Sequence, residues 1–311
     1  MNKTAWLNGG AAALALVLAA AVGAHRRVAV DNDDARATTA PVTSLTDADG
    51  HVTRVRDFRR IVSGSTMADR LLVELCEPDR VVAFTAYGAE HSPYGYQYAG
   101  KPQMVAAGDV EHVLALKPDL FITNSFGTPS KLTRLREAGV EVFDLGEARG
   151  LSSLVADAHI VAALVGHPER GERFLANFTR RMAHVAAAIP VSERHRGLYV
   201  AIYGNQFFGG GAGTSYHDVL TAAGVIDLAP PNFPSYTPEQ LMAIDPEVIV
   251  TKRGMKRSIC ERSPFDRMRA CTTGIVVEIT GDQFDDPSTG MLDAAEQVFA
   301  KIYEPTRDAA R

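Results

Sequence analysis

The chain has no G-x-S-x-G elbow, no H-E-x-x-H pair and no C-x-x-C. These absences remove the motif signatures of α/β serine hydrolases, zinc proteases and thiol redox centres. The nine histidines are scattered, with no H-x-H pair and no His-rich tract, so a bare metal ion finds no clustered ligand set. No G-x-G-x-x-G follows a strand pattern, and the one glycine run lacks a phosphate-loop lysine, which argues against nucleotide. A net charge of −5 provides no basic footprint for nucleic acid. The apolar run Ala11–Val22 is short for a bilayer span, which needs roughly 20 residues.

That run belongs to a distinct N-terminus. Residues 1–24 carry Lys3 as their single charge and end in the small residues Val22-Gly-Ala24, the layout of a secretory signal peptide. An uncleaved anchor is the alternative. Residues 25–57, rich in Asp, Ala, Thr and Arg, read as a flexible leader. The folded chain is expected to begin at Phe58.

An internal repeat organises the chain from there on. Glu111–Thr123 and Glu239–Thr251 both fit E-x-[VL]-[LM]-A-[LI]-x-P-[DE]-[LV]-[FI]-[IV]-T without a gap. Each reads as a short helix, a turn at the proline and a buried strand. Between the two copies lies Pro168–Ile189. There Phe174, Leu175, Phe178, Met182, Val185 and Ile189 recur at the helical period, opposite Arg170, Arg173, Arg180, Arg181 and His184. Read as one helix, it is a rod of roughly 33 Å. The expected fold class is α/β: two Rossmann-like lobes with parallel sheets, residues 58–166 and 191–311, joined by a single rigid α-helix, residues 167–190.

In a parallel sheet, ligands sit outside the carboxyl ends of the strands. The segment after the strand Arg80–Phe84 carries Tyr87, Glu90, His91, Tyr94, Tyr96 and Tyr98, and is read as a loop. Asn124 and Ser125 follow the strand Leu120–Thr123. In the second half, Tyr203, Asn205, Gln206, Phe207 and Phe208 follow the strand Gly197–Tyr203, Tyr216 and His217 open the next helix, and Lys252 and Arg253 end the strand Val248–Thr251. The competing reading packs these aromatics on their own lobes and leaves the cations solvated. Of the cysteines, Cys260 and Cys271 either close the loop Glu261–Ala270 as a disulfide or are, with Cys76, small core residues. Aromatic loops at strand ends without motif chemistry favour a binder over an enzyme.

The order of Arg60-Ile-Val-Ser-Gly-Ser65, Glu111–Thr123, Gly166-His-Pro-Glu-Arg-Gly-Glu172, Tyr216–Gly224 and Thr237–Thr251 resembles the substrate-binding proteins of bacterial ABC importers. The group is the one with two α/β lobes bridged by one helix, which carries ferric siderophores, haem and cobalamin, and the resemblance spans about residues 58–304. It implies a periplasmic monomer that holds a metal chelate between its lobes and delivers it to a membrane permease and its ATPase. An iron chelate, siderophore or haem, is expected, with Tyr87 or His91 as iron ligands; a corrinoid such as cobalamin is the alternative. An exported enzyme or membrane-anchored sensor on the same scaffold is the reading from another class. Family members often offer one acid per lobe to the permease. Glu239 holds the second-lobe position, whereas the first-lobe position has Asp69-Arg70 in place of Thr-Glu, with Asp69 as the substitute acid.

Overall fold

The computed structural model describes residues 42–91, 95–104, 109–124, 129–204, 206–280 and 288–304. The expected signal peptide, residues 1–24, lies outside them. Strands β1 (Ser44–Thr46) and β2 (Val52–Arg54) form an antiparallel hairpin. It is docked on the first lobe. Ala48 N–H donates to the Asp144 carbonyl at 2.9 Å, Thr53 Oγ1 to Glu141 at 2.7 Å, and Arg136 reaches the buried Asp47 at 2.7 Å. Residues 44–54 are therefore part of the lobe, which corrects the flexible leader 25–57. Strands of three residues are too short to show an alternating pattern.

The first lobe continues with β3 (Ile61–Ser63), α1 (Thr66–Leu75), β4 (Val81–Thr85), α2 (Ala86–His91), β5 (Gln103–Met104), α3 (Val110–Ala115), β6 (Leu120–Thr123), α4 (Pro129–Glu137), β7 (Glu141–Asp144) and α5 (Leu151–Leu164). Its sheet has the order β5-β4-β3-β6-β7 and is parallel throughout. All of β6 is buried, as expected of an apolar run covered on both faces.

Gly166, at φ +81°, stops α5, and Pro168 opens α6 (Pro168–His184). This bridging helix has 17 residues, about 25 Å of rise, and ends before the expected Ile189. Beyond it the chain turns, Ala186 packs beside Gly224, and the Arg194 guanidinium donates to the Ile189 carbonyl at 3.3 Å.

The second lobe comprises β8 (Arg196–Tyr199), β9 (Ala201–Tyr203), β10 (Gln206–Phe208), α7 (Ser215–Ala222), β11 (Ile226–Asp227), β12 (Ser235–Tyr236), α8 (Pro238–Ile244), β13 (Val248–Lys252), α9 (Lys256–Cys260), α10 (Arg269–Thr273), β14 (Val276–Ile279) and α11 (Gly290–Tyr303). The parallel sheet has the order β11-β8-β13-β14, and an antiparallel sheet, β12-β10-β9, stands beside it. The strand read as Gly197–Tyr203 thus breaks at Val200, half of it serving each sheet. Cys260 and Cys271 are disulfide-bonded, tying α9 to α10, while Cys76 is buried and its thiol is pushed up to about 11, chiefly by that burial.

Both copies of the repeat fold alike, down to single residues. Lys117 (φ +48°) and Asp245 (φ +43°) are left-handed before Pro118 and Pro246. The terminal threonines each donate to a neighbouring backbone carbonyl, Thr123 to Gly64 at 3.2 Å and Thr251 to Val200 at 2.6 Å.

The two lobes share one core. α6 packs on α1 and α5 from the first lobe and on α7 and α11 from the second. Its buried Leu175, Phe178 and Met182 join Leu72, Leu154 and Val161 on one side to Val219, Leu220 and Val298 on the other. Smaller clusters around Phe121 and around Ile249 fill the outer faces of the two sheets.

Candidate functional site

The carboxyl ends of the first sheet are laced together by side chains from the start of α1. Ser65 caps that helix, accepting from Ala68 N–H at 3.2 Å, and donates its hydroxyl to Asn124 Oδ1 at 2.7 Å. Asn124 Nδ2 then donates to the Gly146 carbonyl at 3.0 Å. Asn124 is thus a tie between β6 and the segment after β7. Asp69 accepts from the Thr85 N–H at 3.1 Å and from its hydroxyl, and Thr85 Oγ1 accepts from Gly88 N–H at 3.0 Å.

These bonds make Ala86–His91 a helix, where a loop was expected. Tyr87 stands 51% exposed and Tyr96 72% exposed, whereas Tyr98 is 2% exposed, its ring 4.5 Å from Phe84. Tyr98 is a core residue, which corrects its place among the ligand residues. Tyr96 and Tyr98, two positions apart on one tight helical turn (Gly95–Tyr98), face different ways, and spacing alone does not say which faces inward. Tyr94, Ser125 and Asn205, with the side chain of His91, lie outside the described residues.

On the second lobe, Lys252 donates to the Tyr203 hydroxyl, and its ammonium lies 4.9 Å from that ring's centre. Phe208 meets Tyr203 edge-on at 5.7 Å. Gln206 and Arg253 are exposed. Strand alternation turns Phe207 inward, 4% exposed and 4.9 Å from Phe265, so it too moves from the ligand set to the core. Tyr216 stacks on Tyr199 with centroids 3.9 Å apart, and Phe233, half-exposed, meets Tyr216 edge-on at 6.3 Å. Phe233 was missed in the sequence because it follows two prolines in a loop without periodicity.

The glycine run is a packing device. A Cβ on Gly209 would lie 2.6 Å from the Tyr236 ring, on Gly210 2.2 Å from the Tyr216 ring, and on Gly211 2.0 Å from the Pro230 carbonyl oxygen. Gly209 and Gly211 spend their N–H groups on Pro234 and Asn232 at 2.8 and 2.9 Å. An anion finds neither donor free.

The two rims meet at a seam. Ser215 N–H donates to the Arg149 carbonyl at 2.6 Å, Leu151 N–H to Asp218 at 2.6 Å, and Arg149 Nη1 reaches Asn232 at 3.4 Å. These residues lie beyond the carboxyl ends of β7 and β10, so the seam ties the first lobe to the second on the side where both sets of strands end. His217 Nδ1 is 2.7 Å from Asp227, which raises the imidazole pKa against the effect of burial.

Of the two acids assigned to docking, Glu239 is exposed at the start of α8, its carboxyl lowered by its own backbone N–H and by Thr237. Asp69 is 0% exposed and engaged by Thr85. It presents nothing to a partner, which corrects that assignment. A cavity of about 590 Å³ lies elsewhere, at the amino ends of the second-lobe strands around Arg196, Ile226 and Glu247, away from the seam and the aromatic residues. Among the described residues, the carboxylates and imidazole spaced to share a metal ion are Asp47, Asp49 and His51, on the hairpin; the Arg136 guanidinium already bridges the two acids. No helix of the described residues is long and apolar enough to cross a membrane.

Two α/β lobes with parallel sheets, joined by one bridging helix, have the architecture of the helically bridged class of solute-binding proteins. The model of the periplasmic binding protein family matches residues 61–280, and the chain belongs to that family. It is 25% identical to the cobalamin-binding protein of Halobacterium salinarum, over 94% of this chain and 83% of that one. The vitamin B12-binding protein of Vibrio cholerae superposes with a TM-score of 0.61 at 19% identity, covering 81% of this chain and 99% of the other. A periplasmic haem-binding protein from Pseudomonas aeruginosa superposes at 0.66 with 23% identity, covering 79% and 93%. The chain is an ABC-type substrate-binding protein, and its part is binding, not catalysis.

Proposed function

We propose that the protein captures a corrinoid of the cobalamin type between its lobes and delivers it to an ABC permease. The observation that carries this is the make-up of the two rims. Tyr87 and Tyr96 on one lobe and Tyr203 and Phe233 on the other are each at least half exposed. Large aromatic faces suit a bulky chelate whose metal is already enclosed, held mostly by contact area with few polar anchors. The names of the relatives point the same way, and they support the corrinoid over the iron chelate first expected. Exposed Glu239 serves as the permease contact of the second lobe.

Haem or another ferric chelate is the second reading, favoured by the half-exposed phenol of Tyr87, a side chain able to ligate ferric iron. Titration calorimetry of the purified chain with cyanocobalamin and with hemin separates the two. Saturable binding of cyanocobalamin, with a raised melting temperature, is expected. Binding of hemin with a shifted Soret band and no response to cyanocobalamin would overturn the corrinoid reading.

A further inference from the structure

We propose that Asp69 is a positioning residue for the ligand: through Thr85 and Gly88 it sets the helix that presents Tyr87 at the rim of the first lobe. The inference rests on reading that rim as the ligand surface.

A fully buried carboxylate is unfavourable unless hydrogen bonds replace its water. Asp69 obtains two of them from one residue, the amide and the hydroxyl of Thr85 at the end of β4. Donating that hydroxyl proton to Asp69 leaves the Thr85 lone pairs facing the Gly88 N–H, 3.0 Å away. The relay therefore has a direction, from carboxylate to hydroxyl to the first turn of α2. Gly88 shows how closely the parts fit, since a Cβ there would lie 2.2 Å from Asp69 Oδ2. Only glycine lets the backbone of α2 rest against the carboxylate.

A helix of six residues has little stability of its own, and its placement must come from what it touches. Tyr87 lies between the two residues of the relay, Thr85 and Gly88, and is half-exposed. The Asp-Arg pair that departs from the family's Thr-Glu thereby acquires a role. Asp69, which stands at the threonine position of that pair, is turned inward and shapes the ligand rim.

The test is a double-mutant cycle on the full chain, with cyanocobalamin affinity measured by calorimetry and amide exchange followed by mass spectrometry. Thr85→Val keeps the shape and removes the relay. Expected is a loss of about tenfold in affinity, recovery to within about twofold in Thr85→Ser, and no further loss from Thr85→Val in a Tyr87→Ala background. Amides 86–91 should exchange faster in Thr85→Val while those of α5 do not change. Asp69→Asn, which sets an amide donor against the Thr85 donors, should behave as Thr85→Val does, and serves in its place should that variant not fold. Equal losses with and without Tyr87, or unchanged exchange at 86–91, would overturn the proposal. A wild-type protein that binds hemin alone overturns the corrinoid reading only, and the same cycle run with hemin then decides the role of Asp69. Binding of neither probe by the wild type overturns the ligand reading and this role with it.

Discussion

Asp218 of the second lobe accepts the N–H of Leu151, the first residue of α5 in the first lobe, at 2.6 Å. A helix N-terminus leaves backbone donors unpaired and carries partial positive charge, so a carboxylate there caps and stabilises it. Here the cap comes from the opposite lobe, and Gly150 lies so close that a Cβ would sit 2.4 Å from the carboxylate. Burial raises the Asp218 carboxyl, and the Leu151 N–H and His217 pull it back. Asp218→Ala is expected to cost about 1 kcal/mol and to widen the spread of lobe orientations. Chemical denaturation and small-angle scattering check the two parts. Unchanged scattering alongside the lost stability would show that the bond serves α5 alone and not the seam.

Glu77 anchors the start of the bridging helix. Its carboxylate receives His167 at 2.6 Å, Arg170 at 2.8 Å and Arg80 at 2.9 Å, uniting the end of α1 with the start of α6. Burial opposes its ionisation, but its backbone N–H, Arg80 and His167 prevail and hold it at about 2. A carboxyl lowered on folding contributes stability that is present above its unfolded pKa of about 4.3 and is lost as pH falls toward 2. Because a third of the side chain meets solvent, the contribution is discounted to roughly 1–2 kcal/mol. Glu77→Gln should therefore unfold at lower urea than wild type at pH 7, and the gap should close as the pH is lowered from about 4.3. A gap that stays constant over that range would mean that packing, not charge, is at work.

A shared core predicts shared unfolding. Phe178 is 4% exposed in the cluster that runs through α6 into both lobes. Phe178→Ala should cost about 3–5 kcal/mol, and protection from amide exchange should fall in α5 and α7 alike. Wild type should lose both lobes in one cooperative transition. Two resolved transitions, with Phe178→Ala moving one of them, would show that the lobes fold as separate units and that the helix belongs to one.

Much of this architecture is legible in the residues, for physical reasons that can be named. The repeat was readable because Pro118 and Pro246, and Thr123 and Thr251, answer backbone demands that recur in both lobes. At the start of α8, Thr237 and Gln240 form a capping box whose two bonds, at 2.8 and 3.3 Å, are local, so residue types alone encode it. The site was less legible. Whether Tyr96 or Tyr98 faces out depends on where Phe84 stands, and Asp69 looks like a surface acid until Thr85 is brought against it from 16 positions away. Contacts made across the sheet decide these residues, and no local pattern records them. The hairpin at 44–54 escaped for the same reason, since Arg136, Glu141 and Asp144 hold it from far along the chain.

On the second rim, the Tyr199–Tyr216 stack is nearly parallel, at 10°, and the Tyr216 ring lies over the backbone of Gly210. An alanine at 210 would place its Cβ 2.2 Å from the ring, and since one face of Tyr216 is blocked by Tyr199, the ring has to move toward Phe233 or the backbone has to shift. The backbone of Gly210 is not in the positive-φ region, so the cost is one of space and not of conformation. Gly210→Ala should therefore leave a folded protein, destabilised by about 1–3 kcal/mol, whose affinity for cyanocobalamin falls further than that of a control substitution on the outer face of the lobe. A Tyr216→Phe variant keeps the ring and should retain its affinity. Should Gly210→Ala bind as well as wild type, Tyr216 and Phe233 are packing residues, and the ligand surface of the second lobe contracts to Tyr203, Lys252 and their neighbours.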